Sequence, residues 1–261
     1  MNKRKILFYM RSAIVKKNDG CYVKKNLGRI VKKISSRVSK VYYAGGFLKD
    51  NGHYYEYKIS SNKIKLIPYL RKRGSIFKYT LDIFNEMKFL KKFILNSDFV
   101  YIMMPGFRSL AVASLCLYLG KPYCLYYGNS WGEIAKYCID QDKKIKYKLY
   151  IKLSELFEKL FCKRASFILV HGNMLKEEIE KYNRRVFLTV PKLYIDSTDI
   201  NNDLVRKQLN NKINILYVGN VTKRKGLEYL IKAIIRLNMN YKYNFNLTVV
   251  GNDNTDYKDQ L

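Results

Sequence analysis

Short, nearly continuous apolar runs alternate with segments of helical period along this chain, and that alternation points to a parallel α/β sheet. Lys5 to Met10 reads as a strand buried on both faces. A loop with Asn18-Asp19-Gly20 follows, and then Val23, Leu27, Ile30, Val31, Ile34 and Val38 recur at helical spacing. Lys24, Lys25, Arg29, Lys32, Lys33 and Arg37 fall on the opposite face. Val41 to Ala44 is the next strand, closed by Gly45-Gly46. The unit is strand–helix–strand, whose crossover lays parallel strands side by side.

The same period continues. Strands are expected over Tyr54 to Ile59, Lys63 to Ile67, Phe99 to Met103, Pro122 to Tyr127, Phe167 to Val170 and Val186 to Val190. Helices are expected over Ser75 to Leu95, Leu110 to Leu119, Lys143 to Lys163 and Asn173 to Tyr182. A polar stretch rich in Asp, Asn, Ser and Thr then interrupts the pattern. It restarts with a strand over Ile213 to Val218, a helix over Leu227 to Asn238 and a strand over Leu247 to Val250. The expected organisation is one doubly wound Rossmann-like domain over 1–195, a linker over 196–212, and the first strand–helix–strand of a second Rossmann-like domain over 213–261.

Charge narrows the partners. Fifty Lys and Arg face 21 Asp and Glu, a formal net of +29, which suits a phosphorylated ligand, nucleic acid or an acidic membrane. The abundance of Lys, Asn, Ile and Tyr, residues favoured by AT-rich genes, accounts for part of that excess. No nucleic-acid-binding motif accompanies it, and the basic residues are spread over the chain, so no specific nucleic acid is expected. The five cysteines form no C-x-x-C and the two histidines are too few for a metal centre, so no metal or cofactor is expected. No secretory leader or membrane-spanning run is visible, so a place in the cytoplasm or on the inner face of the cell membrane is expected. Of the basic helices, Lys143 to Lys163 is the better candidate for a membrane surface, with Tyr147, Tyr150, Phe157 and Phe161 among its lysines. The alternative is that these apolar residues face the sheet.

The segment richest in chemistry is Ile215 to Leu230, ILYVGNVTKRKGLEYL. A buried strand runs into a loop and then a helix N-terminus, where free backbone N–H groups and the positive end of the helix dipole favour a phosphate. Gly219 permits close approach, and Lys223, Arg224 and Lys225 add charged donors. Neither the Walker pattern nor G-x-G-x-x-G is present, which disfavours P-loop NTPases and dinucleotide enzymes. An ordinary basic strand–helix loop is the other reading of the same residues.

The run LYVGNVTKRKGLEYLIKAI followed by LTVVG resembles the opening of the C-terminal domain of family-4 glycosyltransferases, the glycosyl transferases group 1. Upstream, DFVYIMMPGFRSLAVASLCLYLGKPYCLYYGNSWGE and ASFILVHGNMLKEEI resemble segments of the acceptor domain of such enzymes. The resemblance implies a GT-B-like fold, with an acceptor-side domain and a nucleotide-sugar domain. It implies retaining transfer from a nucleotide-diphosphate sugar, without a cofactor, to a cell-surface polysaccharide or glycolipid. Gly219, Arg224 and Lys225 would then meet the donor diphosphate, and Gly20 matches the family's glycine loop near it.

Departures from the family pattern bear on activity. Asn220 stands where the family usually has Arg, and Tyr127-Gly128 where many members have a His. The paired glutamates that hold the donor ribose and sugar in the family would fall beyond residue 261. The expectation is therefore a C-terminally truncated chain, inactive alone or completed by a second chain. The alternative function is a non-catalytic acceptor-binding subunit. Candidate acceptor or cleft residues are Asp19, Asn129, Trp131, Glu133 and His171, which follow expected strand ends. For each, an ordinary structural role in a turn or loop is the competing reading.

Overall fold

The computed structural model describes residues 4–49, 55–69, 76–129, 144–189, 212–241, 244–252 and 257–260. The chain divides into two compact units, Met1–Asp196 and Ser197–Leu261. The linker expected over 196–212 lies outside the described residues except for Lys212, which opens a strand.

The first unit is built on a nine-stranded mixed sheet. Its parallel strands are β1 (Lys5–Lys17), β3 (Lys40–Lys49), β5 (Ile64–Tyr69), β6 (Phe99–Met104), β7 (Tyr123–Tyr127), β8 (Phe167–Val170) and β9 (Val186–Leu188). They lie in the order β5-β3-β1-β6-β7-β8-β9, so the winding reverses between β1 and β6. Open α/β sheets bind ligands beyond the strand C-termini at such a reversal. The short strands β2 (Gly20–Val23) and β4 (Tyr57–Lys58) pair antiparallel beside the far half of β1.

Alternation along β1 sends neighbours to opposite cores. Leu7 and Tyr9 join one cluster, Phe8, Met10 and Ile14 the other. Helix α1 (Lys25–Ser35) closes the second cluster with Leu27 and Val31, leaving Lys24, Lys25, Lys32 and Lys33 exposed. Helices α2 (Ile76–Leu95), α3 (Phe107–Tyr118) and α4 (Lys144–Arg164) line the first cluster through Leu90, Phe93 and Ile94, then Val112, Ala113 and Cys116, then Phe161 and Cys162. Helix α5 (Asn173–Glu180) adds Leu175 and Ile179. Among the described residues no helix is long and apolar enough to cross a membrane.

Two sequence expectations are corrected here. The first strand does not stop at Met10. It runs on to Lys17, turns through Asn18-Asp19 and returns as β2, a hairpin where a strand-to-helix loop was expected. Nor does β3 stop at Gly45-Gly46; it continues to Lys49. The pairing shifts between Tyr9 and Ala13, where β1 carries extra residues against β3. That bulge brings the Ser12 carbonyl within 2.6 Å of where a Gly45 Cβ would stand, so the glycine admits the bulge rather than ending the strand.

The second unit pairs β10 (Lys212–Val218) with β11 (Asn244–Val250) in parallel, connected through α6 (Leu227–Asn240). Val221, Leu227 and Tyr257 form its small core, with Tyr217, Leu230, Ile231 and Leu247 packed around them. Leu216, Val218 and Val250 remain exposed on the sheet.

Candidate functional site

In the second unit the end of β10 makes a closely packed glycine turn. The Gly219 N–H donates to the Val250 carbonyl at 2.9 Å, and the Val221 N–H to Asn252 at 3.0 Å, so pairing continues past both strands. Gly251 lies against Gly219 so closely that a Cβ on it would sit 1.7 Å from the Gly219 carbonyl oxygen. Val221 is buried beside Leu227 and Tyr257 and pins the loop from below. Lys223–Lys225 then forms a single 3₁₀ turn, closed by the Lys225 N–H to Thr222 at 2.9 Å. Gly226, at φ +66°, passes the chain into α6 in a left-handed conformation that glycine adopts without strain.

The result is a tight basic turn directly on a helix start. The Tyr229 N–H already donates to the Gly226 carbonyl at 3.0 Å, which leaves the Leu227 and Glu228 N–H groups ahead of the first helical acceptor, at the positive end of the helix dipole. Lys223 and Lys225 are exposed beside it. The Arg224 side chain lies outside the described residues. The one carboxylate of the first turn is already engaged. Glu228 accepts from the Tyr257 hydroxyl at 2.8 Å and pairs with Lys232 at 3.6 Å. The Tyr257 hydrogen bond comes first among the causes that hold its pKa below the usual carboxylate range. Asn220 is exposed, and its carbonyl accepts from the Tyr217 hydroxyl at 3.3 Å.

In the first unit, Asn129 and His171 follow the adjacent strands β7 and β8, whose ends register as Tyr127 against Val170. The His171 N–H donates to the Tyr127 carbonyl at 3.0 Å, so the two loops leave the sheet side by side and both residues are exposed. Trp131 and Glu133 lie outside the described residues. Asp19 and Gly20 do not join this edge. They sit at the hairpin tip, roughly 15 Å past Ala13 at ~3.3 Å per residue. There Asp19 accepts from Tyr22 at 2.6 Å and pairs with Lys58 at 3.0 Å.

Sequence reasoning missed a polar cluster at the reversal of the sheet. Arg108, in the first turn of α3 after β6, pairs with both Asp82 and Glu86 of α2 and stacks on the Tyr79 ring at 4.9 Å. Glu86 also accepts from the Tyr9 hydroxyl of β1 at 2.6 Å. Burial opposes the charge on Arg108, but the two carboxylates outweigh it and hold the guanidinium protonated. The hydroxyl of Tyr9 is raised well above its ordinary pKa by burial first, then by Tyr69 and Glu86. The cluster ties the middle of β1 and the first turn of α3 to α2. Its sequence signal was two carboxylates at i, i+4 on a helix whose other charges are all lysines.

Comparison with known proteins adds three findings. Residues 200–261 match the family model Glycosyl transferases group 1. No curated protein matches the chain. Among solved structures the chain is similar to a Listeria monocytogenes protein assigned as UDP-N-acetylglucosamine 2-epimerase, at 11% identity and a TM-score of 0.53, over 100% of this chain and 65% of that one. It is similar to S. aureus MnaA, solved with UDP, at 12% identity and a TM-score of 0.51, over 98% and 64% of the two chains. A ugt transferase of Siraitia grosvenorii, in complex with UDP, aligns at 10% identity and a TM-score of 0.50, over 97% and 74%. At these identities the likeness is one of fold, and the fold is GT-B-like. The chain spans about two-thirds of the length of these structures.

Proposed function

We propose, from a second unit that carries Glycosyl transferases group 1 sequence and a GT-B-like fold, that this chain takes part in glycosyl transfer from a nucleotide-diphosphate sugar. The Gly219-to-Leu227 turn receives the donor diphosphate. The observation that carries this reading is the conjunction of a strand end stripped of side-chain bulk, a lysine-bearing 3₁₀ turn and a helix start at one place. Negative charge grows on the diphosphate as the glycosidic bond breaks. Fixed N–H donors and the Lys225 ammonium stabilise that charge without reorganising. Arg224 joins them from the same turn. No metal or cofactor is needed for this role, since the ammonium groups and the helix start supply the positive charge.

The acceptor belongs to the first unit, at the edge where Asn129 and His171 emerge together, with Trp131 and Glu133 shortly after Asn129 in the sequence. The acceptor class is a saccharide or lipid-linked saccharide of the cell surface, and transfer proceeds with retention. Asp19 is not part of that edge, because the hairpin carries it past the strand ends, and Gly20 stays a donor-side candidate of this proposal.

Isothermal titration of the chain with UDP tests the donor reading. Saturable binding that falls roughly tenfold in Lys225→Ala is expected, the scale of one charge-assisted contact. Arg236→Ala, exposed further along α6, should leave it unchanged. Binding of oligosaccharide with no response to UDP would favour an acceptor-binding subunit instead.

A further inference from the structure

From the outward face of α4 we infer a docking surface for an anionic lipid bilayer. This goes beyond the sugar-transfer reading and does not depend on it. The sequence reading aimed Phe157 and Phe161 at a membrane, and the structure corrects that. Phe161 and Cys162 are buried in the core and Phe157 packs against it. The residues left outside are Leu153, Leu156 and Leu160, exposed by 45%, 61% and 49%. At i, i+3 and i+7 they form one line along the helix. Lys152, Lys159 and Lys163, all exposed, form a second line beside it.

The neighbouring helices extend the surface. α2, α3 and α4 cover the same face of the sheet and pack in that order. On α2, Leu81 and Phe84 are exposed, with Lys88 and Lys91 further along the same helix. Tyr118, at the end of α3 between them, is also exposed. One layer therefore presents apolar side chains bordered by lysines.

The charges select the occupant. A second copy docked on the leucine line would bring two lysine lines together, with Glu155 the one exposed acid among α4's described residues available to offset them. A nucleic acid offers phosphates but nothing for leucines. An anionic bilayer takes both: the leucines enter the boundary between headgroups and acyl chains, and the lysine stems lie along it with their ammonium groups at the phosphates. The formal charge of +29 draws the whole chain to such a surface.

The test is co-sedimentation of the full chain with phosphatidylcholine vesicles and with phosphatidylcholine–phosphatidylglycerol vesicles. The mixed vesicles are expected to bind at least roughly tenfold more tightly. The triple variant Leu153→Ser, Leu156→Ser, Leu160→Ser should lose roughly tenfold or more of that binding. Lys152→Gln, Lys159→Gln, Lys163→Gln should weaken it more than Lys24→Gln, Lys25→Gln, Lys32→Gln on α1. Circular dichroism checks the fold of each variant. A single Leu156→Trp variant reports independently, with an added emission that shifts to the blue on mixed vesicles. Four results would each overturn the proposal: unchanged binding by the leucine variant, equal losses from the two lysine sets, an added indole emission in Leu156→Trp that does not shift, or self-association of the chain abolished by the leucine variant.

Discussion

Gly251 stands at the end of β11 with its Cα turned onto the carbonyl of Gly219, at a separation that leaves 1.7 Å between that oxygen and any added Cβ. The two strand ends close because neither residue carries a side chain there. Gly251→Ala must therefore push apart two backbones, whereas Gly219→Ala meets only the hydroxyl end of Tyr217 at 3.3 Å. Overpacking of this kind costs about 1–3 kcal/mol. The expected outcome is faster amide exchange at Gly219 and Val221 in Gly251→Ala, with a much smaller change of exchange in Gly219→Ala, whose added methyl instead weakens UDP binding directly. Equal exchange in the two variants would show that the close approach does not hold the loop.

The Tyr9–Glu86–Arg108–Asp82 cluster makes a second prediction. Arg108→Ala strands two largely buried carboxylates, and breaking a buried ion pair from one side costs about 3–5 kcal/mol. Urea unfolding should show a loss near the lower end of that range. Glu86→Gln, which retains an acceptor for Tyr9, should lose less. A loss below ~1 kcal/mol for Arg108→Ala would contradict the role given to the cluster.

The thiols of Cys116, Cys124 and Cys162 are buried, and burial pushes each up to about 12. In the unfolded chain a thiol ionises near ~8.5. A folded pKa raised above the unfolded one gives stability that is whole below that unfolded value. It is lost as pH rises from there through the folded value of about 12. Stability should therefore fall between about pH 8.5 and 12, at up to ~1.4 kcal/mol per pH unit per thiol. At pH 8 a disulfide reagent should label these three cysteines only after unfolding, while half-buried Cys21 reacts in the native chain. Rapid native labelling of Cys124 would contradict the packing of β7.

Much of the fold was legible because its central strands are apolar on both faces, although one face of Phe99–Met104 is only half-buried. Phe99–Met104 and Tyr123–Tyr127 are unbroken apolar runs, and the helices between them carry clear stripes. The hairpin after Met10 was not legible. Arg11 to Lys17 is half polar and becomes a strand through its long-range pairing with β3, and the Asn-Asp-Gly turn signal suits a strand-to-helix loop equally well. Gly45-Gly46 read as a stop because nothing local announces the Ser12 carbonyl above it. The loop at Gly219 was legible because its pieces are contiguous. Arg108 and its carboxylates lie 22 and 26 residues apart and meet only through the packing of α2 on α3.

Amide chemical shifts of the ¹⁵N-labelled chain, followed during titration with UDP, test the central claim most directly. Saturating shifts concentrated from Gly219 to Glu228, moved to roughly tenfold higher UDP by Lys225→Ala and competed by pyrophosphate, are the expected result. Saturating shifts elsewhere in the chain, with the Gly219-to-Glu228 amides unmoved, would contradict the assignment of this turn as the diphosphate site.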